Sequence, residues 1–195
     1  MESYNMAGLS TELGLQPGFF LTRENGERAY PLLRTRLEQV SEGKGLVLIF
    51  PTGQLIDASF ADETIVRLGE ELADEKLKDR ALLLQGLTED SIKNIEAVIG
   101  FRRLKLGFLA VEADGKWKCI GHLDPTLLEV LALLSRRDHL TAPELAEMLD
   151  LEINTASNRL KRLYDRSLVR REYEVSTKGL QYYYFFWNWK ESGSD

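Results

Sequence analysis

Residues 141–187 hold the order of elements that most constrains this chain. Residues 141–149 have the pattern of a short helix, residues 155–166 that of a second helix, and residues 151–154 form a tight connection between them. Two strand-like stretches follow, joined by Ser176-Thr-Lys-Gly. Helix, turn, helix and hairpin in this order are typical of a winged helix-turn-helix, a fold that places its second helix against DNA.

Helical spacing divides the second of these helices into two faces. Ala156, Leu160 and Leu163 recur at intervals of three and four residues and predict the buried side. On the far side, with Ser157 and Lys161 flanking it, we predict a DNA-contacting surface that has short side chains for base edges and long cations for phosphates. The short side chains are Thr155, Ser157 and Asn158, and the cations are Arg159, Lys161, Arg162 and Arg166, joined by Lys178 from the hairpin loop. The alternative is the ordinary solvated face of an amphipathic helix.

Charge is unevenly distributed along the chain. The net charge is −6, yet residues 153–181 carry seven Lys or Arg against three acids, which is +4 and leaves about −10 for the rest. A local basic surface on an acidic body is compatible with double-stranded DNA as partner. The acidic total disfavours non-specific binding by the whole chain.

Strand-like and helix-like stretches alternate before residue 121. Residues 45–50 and 81–84 are continuous apolar runs, typical of strands covered on both faces. Thr88 is placed to cap a helix, and Asn25-Gly26 predicts a turn. This alternation predicts a small α/β domain of sheet and helices, which precedes the C-terminal winged helix-turn-helix.

The predicted organisation has a boundary near Gly121 and no long linker. We expect an N-terminal tail over 1–18, the α/β domain over 19–120, the winged helix-turn-helix over 121–189 and a C-terminal tail over 190–195.

Leu21-Thr-Arg-Glu-Asn-Gly, a following apolar strand and Asp57-Ala-Ser-Phe-Ala-Asp-Glu resemble the STAS-like domain family, relatives of anti-sigma-factor antagonists. The resemblance implies a sensing or protein-interaction module and a regulatory protein partner. It also places Ser59 near the serine that such antagonists carry as a phosphosite, although Phe60 stands where a small residue often follows. The alternative is that Ser59 caps a helix, with Asp62 completing a capping box.

Residues 123–189 resemble winged helix regulators of the MarR and ArsR kind. The resemblance implies that the second helix of the motif enters the major groove and that the loop around Thr177, Lys178 and Gly179 contacts backbone or minor groove. This loop is short and has one cation, so it departs from a strongly basic wing.

The aromatic run over 182–187 gives the last strand two apolar faces. In a monomer, a hairpin strand should have one face in water and therefore only one apolar face. Because both faces are apolar here, we predict that Tyr183, Phe185 and Trp187 form a dimer or interdomain interface. A base-stacking platform is the weaker alternative, because the run contains no cation.

Several classes of protein are disfavoured. Cys119 is the single cysteine and His122 and His139 are the only histidines, so no disulfide, zinc cluster or catalytic Cys/His or Ser/His/Asp arrangement is expected. No phosphate-binding glycine motif, secretory signal or membrane-length apolar run is present. We therefore expect a cytoplasmic protein that is not an enzyme and needs no metal or cofactor.

Together these features predict a homodimeric, DNA-binding transcriptional regulator with a sensing domain in front. The alternative is a protein-interaction switch, related to anti-sigma-factor antagonists, whose winged helix serves docking or dimerisation without DNA.

Overall fold

A computed structural model describes residues 1–16, 19–74, 76–77, 79–177 and 179–189. The chain divides into two compact units. The first contains Met1–His122 together with Asn188 and Trp189, and the second contains Leu123–Trp187.

The first unit is a five-stranded sheet with helices between its strands. In chain order its elements are β1 (Glu2–Asn5), α1 (Met6–Leu13), β2 (Phe19–Phe20), α2 (Arg23–Gln39), β3 (Gly45–Ile49), β4 (Leu55–Ile56), α3 (Ala58–Ala61), a π-helical segment (Asp62–Val66), α4 (Arg67–Ala73), β5 (Ala81–Gln85), α5 (Glu89–Phe101), β6 (Phe108–Val111) and β7 (Trp117–Ile120). The strand order is β1-β3-β5-β6-β7, parallel as far as β6 and antiparallel between β6 and β7. Because the order advances in one direction, right-handed crossovers bring the intervening helices to the same face of the sheet.

Alternate residues of the central strands are buried on opposite faces. Leu46 and Leu48 of β3 belong to the main apolar core with the helices, while Val47 between them is also buried. β5 repeats this pattern with Leu82 and Leu84 in the core and Leu83 on the other face. The prediction of strands covered on both faces is confirmed.

Two boundary predictions for this unit are corrected. Residues 2–13 of the predicted N-terminal tail form β1, which pairs in parallel with β3, and α1. Trp189 lies in the first unit, where its indole N–H donates to the carbonyl of Glu112 at 3.3 Å.

Two local predictions are also wrong. Asn25-Gly26 lies inside α2, because Thr22 caps that helix and accepts a hydrogen bond from the Asn25 N–H. Ser59 is not a cap, since the side chain of Asp57 accepts from the Phe60 N–H at 2.7 Å and begins α3. Thr88 does cap α5, as predicted.

The second unit has a helical half and a hairpin. Its elements are α6 (Pro125–Leu134), α7 (Ala142–Leu149), α8 (Ile153–Tyr164), β8 (Val169–Ser176) and β9 (Gly179–Phe186). β8 and β9 are antiparallel, and an isolated bridge joins Leu140 to Tyr184 of β9. This is the element order of a winged helix-turn-helix, with α8 as the second helix of the motif.

Candidate nucleic-acid interface

The turn between α7 and α8 fixes where α8 begins. At the start of α7, Thr141 and Glu144 form a capping box in which the Thr141 N–H donates to the Glu144 carboxylate at 2.7 Å. The Thr141 hydroxyl also donates to that carboxylate, and this bond is the main reason that the pKa of Glu144 lies below its ordinary value. At the other end Asp150 ends α7 in the left-handed conformation, with φ of 50°. The turn therefore has a defined geometry.

The buried face of α8 is as predicted. Ala156, Leu160 and Leu163 are fully buried. On the far side Thr155 and Asn158 are exposed, while Ser157 is half-buried. The short polar side chains are thus available at the N-terminal part of the helix, where a helix in a major groove contacts bases.

Each predicted cation of α8 is engaged within the second unit. Lys161 pairs with Asp165 at 2.6 Å, and Arg162 pairs with Asp124 at 2.6 Å. Arg159 has a side chain only 18% exposed and lies 3.7 Å from Glu129. Arg166, also predicted on this helix, lies two residues beyond the end of α8 and donates from Nη1 to the carbonyl of Arg162 at 2.8 Å. A phosphate contact by Lys161 or Arg162 would therefore require exchange of an acidic partner for the phosphate.

Asp124 has two functions in this arrangement. As the N-cap of α6 it accepts from the Leu127 N–H at 3.1 Å, and its other oxygen accepts from Arg162. The pKa of Asp124 is lowered, chiefly because the Thr126 hydroxyl donates to the carboxylate. Burial acts in the opposite direction and raises the pKa, while the Leu127 N–H and Arg162 lower it further. The carboxylate is consequently charged at neutral pH and holds Arg162 in an ion pair.

The second unit as a whole is close to electrically neutral. Residues 123–187 contain nine Lys or Arg and ten Asp or Glu, which gives −1. The +4 of residues 153–181 is balanced by acids that precede them in the sequence, including Asp124 and Glu129. The basic stretch is therefore offset by acids of the same unit.

A groove of about 290 Å³ lies beside the N-terminus of α8 and was not predicted. Ile153, Asn154 and Ser157 line it from α8, Ala142 and Pro143 from α7, and Leu180 and Tyr182 from β9. Asn154 is exposed and stands one helical turn before Asn158. The helical spacing that predicts Asn158 on the exposed face could also have predicted Asn154 there. The groove could not be predicted, because it depends on packing between residues distant in sequence.

The aromatic side chains predicted at an interface are buried to different degrees. Trp187 is 3% exposed and its indole N–H donates to the carbonyl of Ser167 at 3.0 Å. Its role at a dimer or interdomain interface stays a prediction. Tyr183 and Phe185 are half-buried, and their rings lie 5.3 and 5.8 Å from that of His139. The predicted contact by Lys178 lies outside the described residues.

In the first unit, Ser59 is the second residue of α3 and is half-buried. Asp57 fills the position before the helix and also accepts from the Thr22 N–H at 3.0 Å. Three and four residues after Ser59, Asp62 and Glu63 both pair with Arg23, the contact with Asp62 being 3.2 Å. Ser59 thus has acidic residues before and after it, and Arg23 bridges the latter.

Comparison with known proteins bears on the second unit. Residues 123–176 match the sequence model of the MarR family. Neither a curated protein nor a solved structure matches the chain. The match covers α6, α7, α8 and β8, which are the elements of the helix-turn-helix and the first strand of its wing.

Two further findings concern ligands and membranes. In the part of the chain that the structure describes, no group of three His, Cys, Asp or Glu residues could hold a metal ion. No helix of the same residues has the length and apolarity needed to cross a membrane.

Proposed function

We propose that this protein is a DNA-binding transcriptional regulator, acting as a homodimer that presents α8 to the major groove. The match of residues 123–176 to the MarR family carries the proposal. The exposed Thr155 and Asn158, with half-buried Ser157, supply base contacts in this mechanism. Arg159, Lys161 and Arg162 supply phosphate contacts after leaving their carboxylate partners.

The ion pair between Arg162 and Asp124 provides a direct test. We expect Arg162→Ala to weaken binding to every DNA sequence and to reduce the salt dependence by about one phosphate contact. We expect Asp124→Asn to strengthen binding by about two- to five-fold, the equivalent of an exposed ion pair of about 0.4–1 kcal/mol. Asparagine keeps the helix cap, so folding should be retained.

The measurement is fluorescence anisotropy over a range of salt concentrations, with duplex DNA from the region upstream of the protein's own gene. Asp138→Asn is the matched control, because it makes the same change in net charge in the exposed loop between α6 and α7. Equal effects of the two Asp substitutions, or unchanged binding by Arg162→Ala at all salt concentrations, would refute this placement of α8.

The pairing of the α8 cations favours a second candidate function, a protein-interaction switch whose winged helix is a docking or dimerisation module. A unit of net charge −1 attracts DNA only weakly through its overall field. Retention on heparin at low salt, lost when Arg159 and Arg162 are changed to Glu, would support DNA binding. Absence of retention by the folded wild-type protein, together with no shift of upstream DNA, would support the switch.

For the first unit we propose a STAS-like sensing or protein-interaction module, with Ser59 as a phosphosite. Its support is the sequence Ser59-Phe-Ala-Asp-Glu at the first turn of a helix, a position where backbone N–H groups favour a phosphate. The neighbouring carboxylates oppose it, and Arg23 is the cation placed to exchange partners. Mass spectrometry of protein from its native cells should find a phosphopeptide containing Ser59, absent after Ser59→Ala; an unmodified peptide under all growth conditions would exclude the site.

A further inference from the structure

The outer half of the hairpin exposes a set of apolar side chains on one face. Tyr173 and Val175 of β8 are 69% and 73% exposed, and Leu180 and Tyr182 of β9 are 54% and 36% exposed. The strand register places Tyr173 opposite Tyr182 and Val175 opposite Leu180, so the four form two cross-strand pairs. Such a patch on a soluble protein indicates a contact surface.

The opposite face of the same hairpin is polar. Glu172 and Glu174 of β8 lie on it, and the hydroxyl of Tyr183 donates to the Glu174 carboxylate at 3.1 Å. Closer to the base of the hairpin, Arg170 pairs with Glu172 and places its guanidinium 4.0 Å from the centre of the Phe185 ring. From Glu172 to Val175, β8 therefore alternates charged and apolar residues, which is typical of a strand with neighbours in a sheet.

The exposure is greater on β8 than on β9, and β8 has a second strand on only one of its edges among the described residues. Leu180 and Tyr182 of β9 line the groove beside α7 and α8. β8 pairs only with β9 among the described strands, and its residues 172–175 are all exposed. A strand edge of this kind is a template for pairing with another strand.

DNA is a poor fit for this edge. The apolar face offers one cation, Arg171, and its guanidinium already lies over the rings of Tyr164 and Tyr182, at 4.0 and 4.4 Å. The other face presents Glu172 and Glu174, which repel phosphates. The edge instead has the charge pattern of a surface that can meet a copy of itself.

We propose that β8 pairs antiparallel with β8 of a second copy of this chain, about a two-fold axis at Glu172. In this register Arg170 stands opposite Glu174 twice. The two Glu172 carboxylates meet at the axis, each paired with Arg170 of its own chain. On the apolar face, Tyr173 stands opposite Arg171 and Val175 opposite Val169, which gives the two most exposed members of the patch a neighbour. This inference rests on the homodimer of the proposed function and on no other part of it. It places the subunit contact at the edge of β8, whereas the sequence predicted it at side chains of β9.

Charge exchange tests the register. We expect Arg170→Glu and Glu174→Arg each to weaken dimerisation by about ten-fold or more, because each substitution turns two attractive cross-strand pairs into repulsive ones. The double variant restores opposite charges and should restore the dimer. Sedimentation equilibrium measures the dissociation constants, and circular dichroism checks that each variant is folded. A wild-type protein that is monomeric at its highest soluble concentration, or a double variant no better than the singles, would overturn the proposal.

A cross-link tests the axis independently. With Cys119→Ser as background, Glu172→Cys places a cysteine opposite its own copy, about 4.5–5.5 Å away between Cβ atoms, and a small adjustment permits a disulfide. Gln181→Cys, on the exposed polar face of β9, is the matched control. We expect rapid oxidation to a covalent dimer for the first variant only. Equal oxidation rates for the two variants would place the subunit contact elsewhere and overturn the proposal. DNA binding is measured separately with Asp124→Asn, so failure of the β8 contact can be told apart from failure of the proposed regulator function.

Discussion

Thr141 shows how a single buried side chain prepares the candidate interface. It is 2% exposed, and its hydroxyl and backbone N–H both donate to the Glu144 carboxylate. This closes the first turn of α7, on which the position of α8 depends. A residue that touches no DNA in the proposed mechanism can therefore affect how α8 is presented.

We expect Thr141→Ala to lower the free energy of unfolding of the second unit by about 1 kcal/mol, the usual value of a helix cap. Urea denaturation measures the change. Thr155→Ala, at an exposed position within α8, is the control and should change stability by a few tenths of a kcal/mol at most. Similar losses for both variants would show that the capping box is not a significant source of stability.

The same bond gives a pH dependence with a defined sign. Because the folded protein lowers the pKa of Glu144 below its ordinary value of 4.5, this carboxylate stabilises the fold at pH values above 4.5. The contribution is lost as the pH falls through the lower, folded pKa. We expect the stability of wild type to decline in this acid range and Glu144→Gln to decline less steeply, as measured by urea unfolding at several pH values. An equal slope for both proteins would contradict this.

At the scale of elements, helix spacing and caps could be predicted from the sequence, but partners distant in sequence could not. Ala156, Leu160 and Leu163 follow from periodicity, and the caps at Thr88 and Thr141 follow from residue type. The pairing of Arg162 with Asp124 joins residues 38 positions apart, so a count of charges over 153–181 alone overestimates the free positive charge.

The error at Asn25-Gly26 has a related origin. Asn-Gly is a strong local signal for a turn, but tertiary packing overrides it here. A Cβ on Gly26 would lie 2.8 Å from Cβ of Glu63 and 3.2 Å from the carbonyl oxygen of Phe60. The glycine is needed because α2 approaches the segment after β4 closely, and no local pattern reveals such an approach.

This packing predicts opposite outcomes for two glycine substitutions within helices. Gly26→Ala should destabilise the protein by about 1–3 kcal/mol, because the new methyl group overpacks the contact. Gly100→Ala in α5 should stabilise it by up to about 1 kcal/mol, since alanine has the better helix propensity and a Cβ there meets nothing within 4 Å. Thermal denaturation of both variants provides the comparison. Stabilisation by Gly26→Ala would mean that α2 can move away at little cost.

At the scale of the whole molecule, the net charge bears on how strongly the protein attracts DNA from a distance, and individual cations bear on contacts with phosphates. The chain carries −6 and its second unit −1, so neither draws DNA by net charge. Any binding would depend on a few cations that exchange carboxylates for phosphates, which is why a shallow salt dependence is expected of this protein. Release of Arg162 from Asp124 would then account for about a two- to five-fold part of the affinity.

The sheet of the first unit gives the last prediction, because its central strands are buried on both faces. Leu84 of β5 is 0% exposed within the main core, and Leu83 is 1% exposed on the other face. We expect Leu83→Ala and Leu84→Ala to lower the free energy of unfolding by similar amounts, about 2–5 kcal/mol each, because both remove a fully covered side chain. Urea denaturation followed by tryptophan fluorescence measures both. A loss below about 1 kcal/mol for Leu83→Ala alone, as expected for a solvated position, would show that this face of the sheet is open to water in solution.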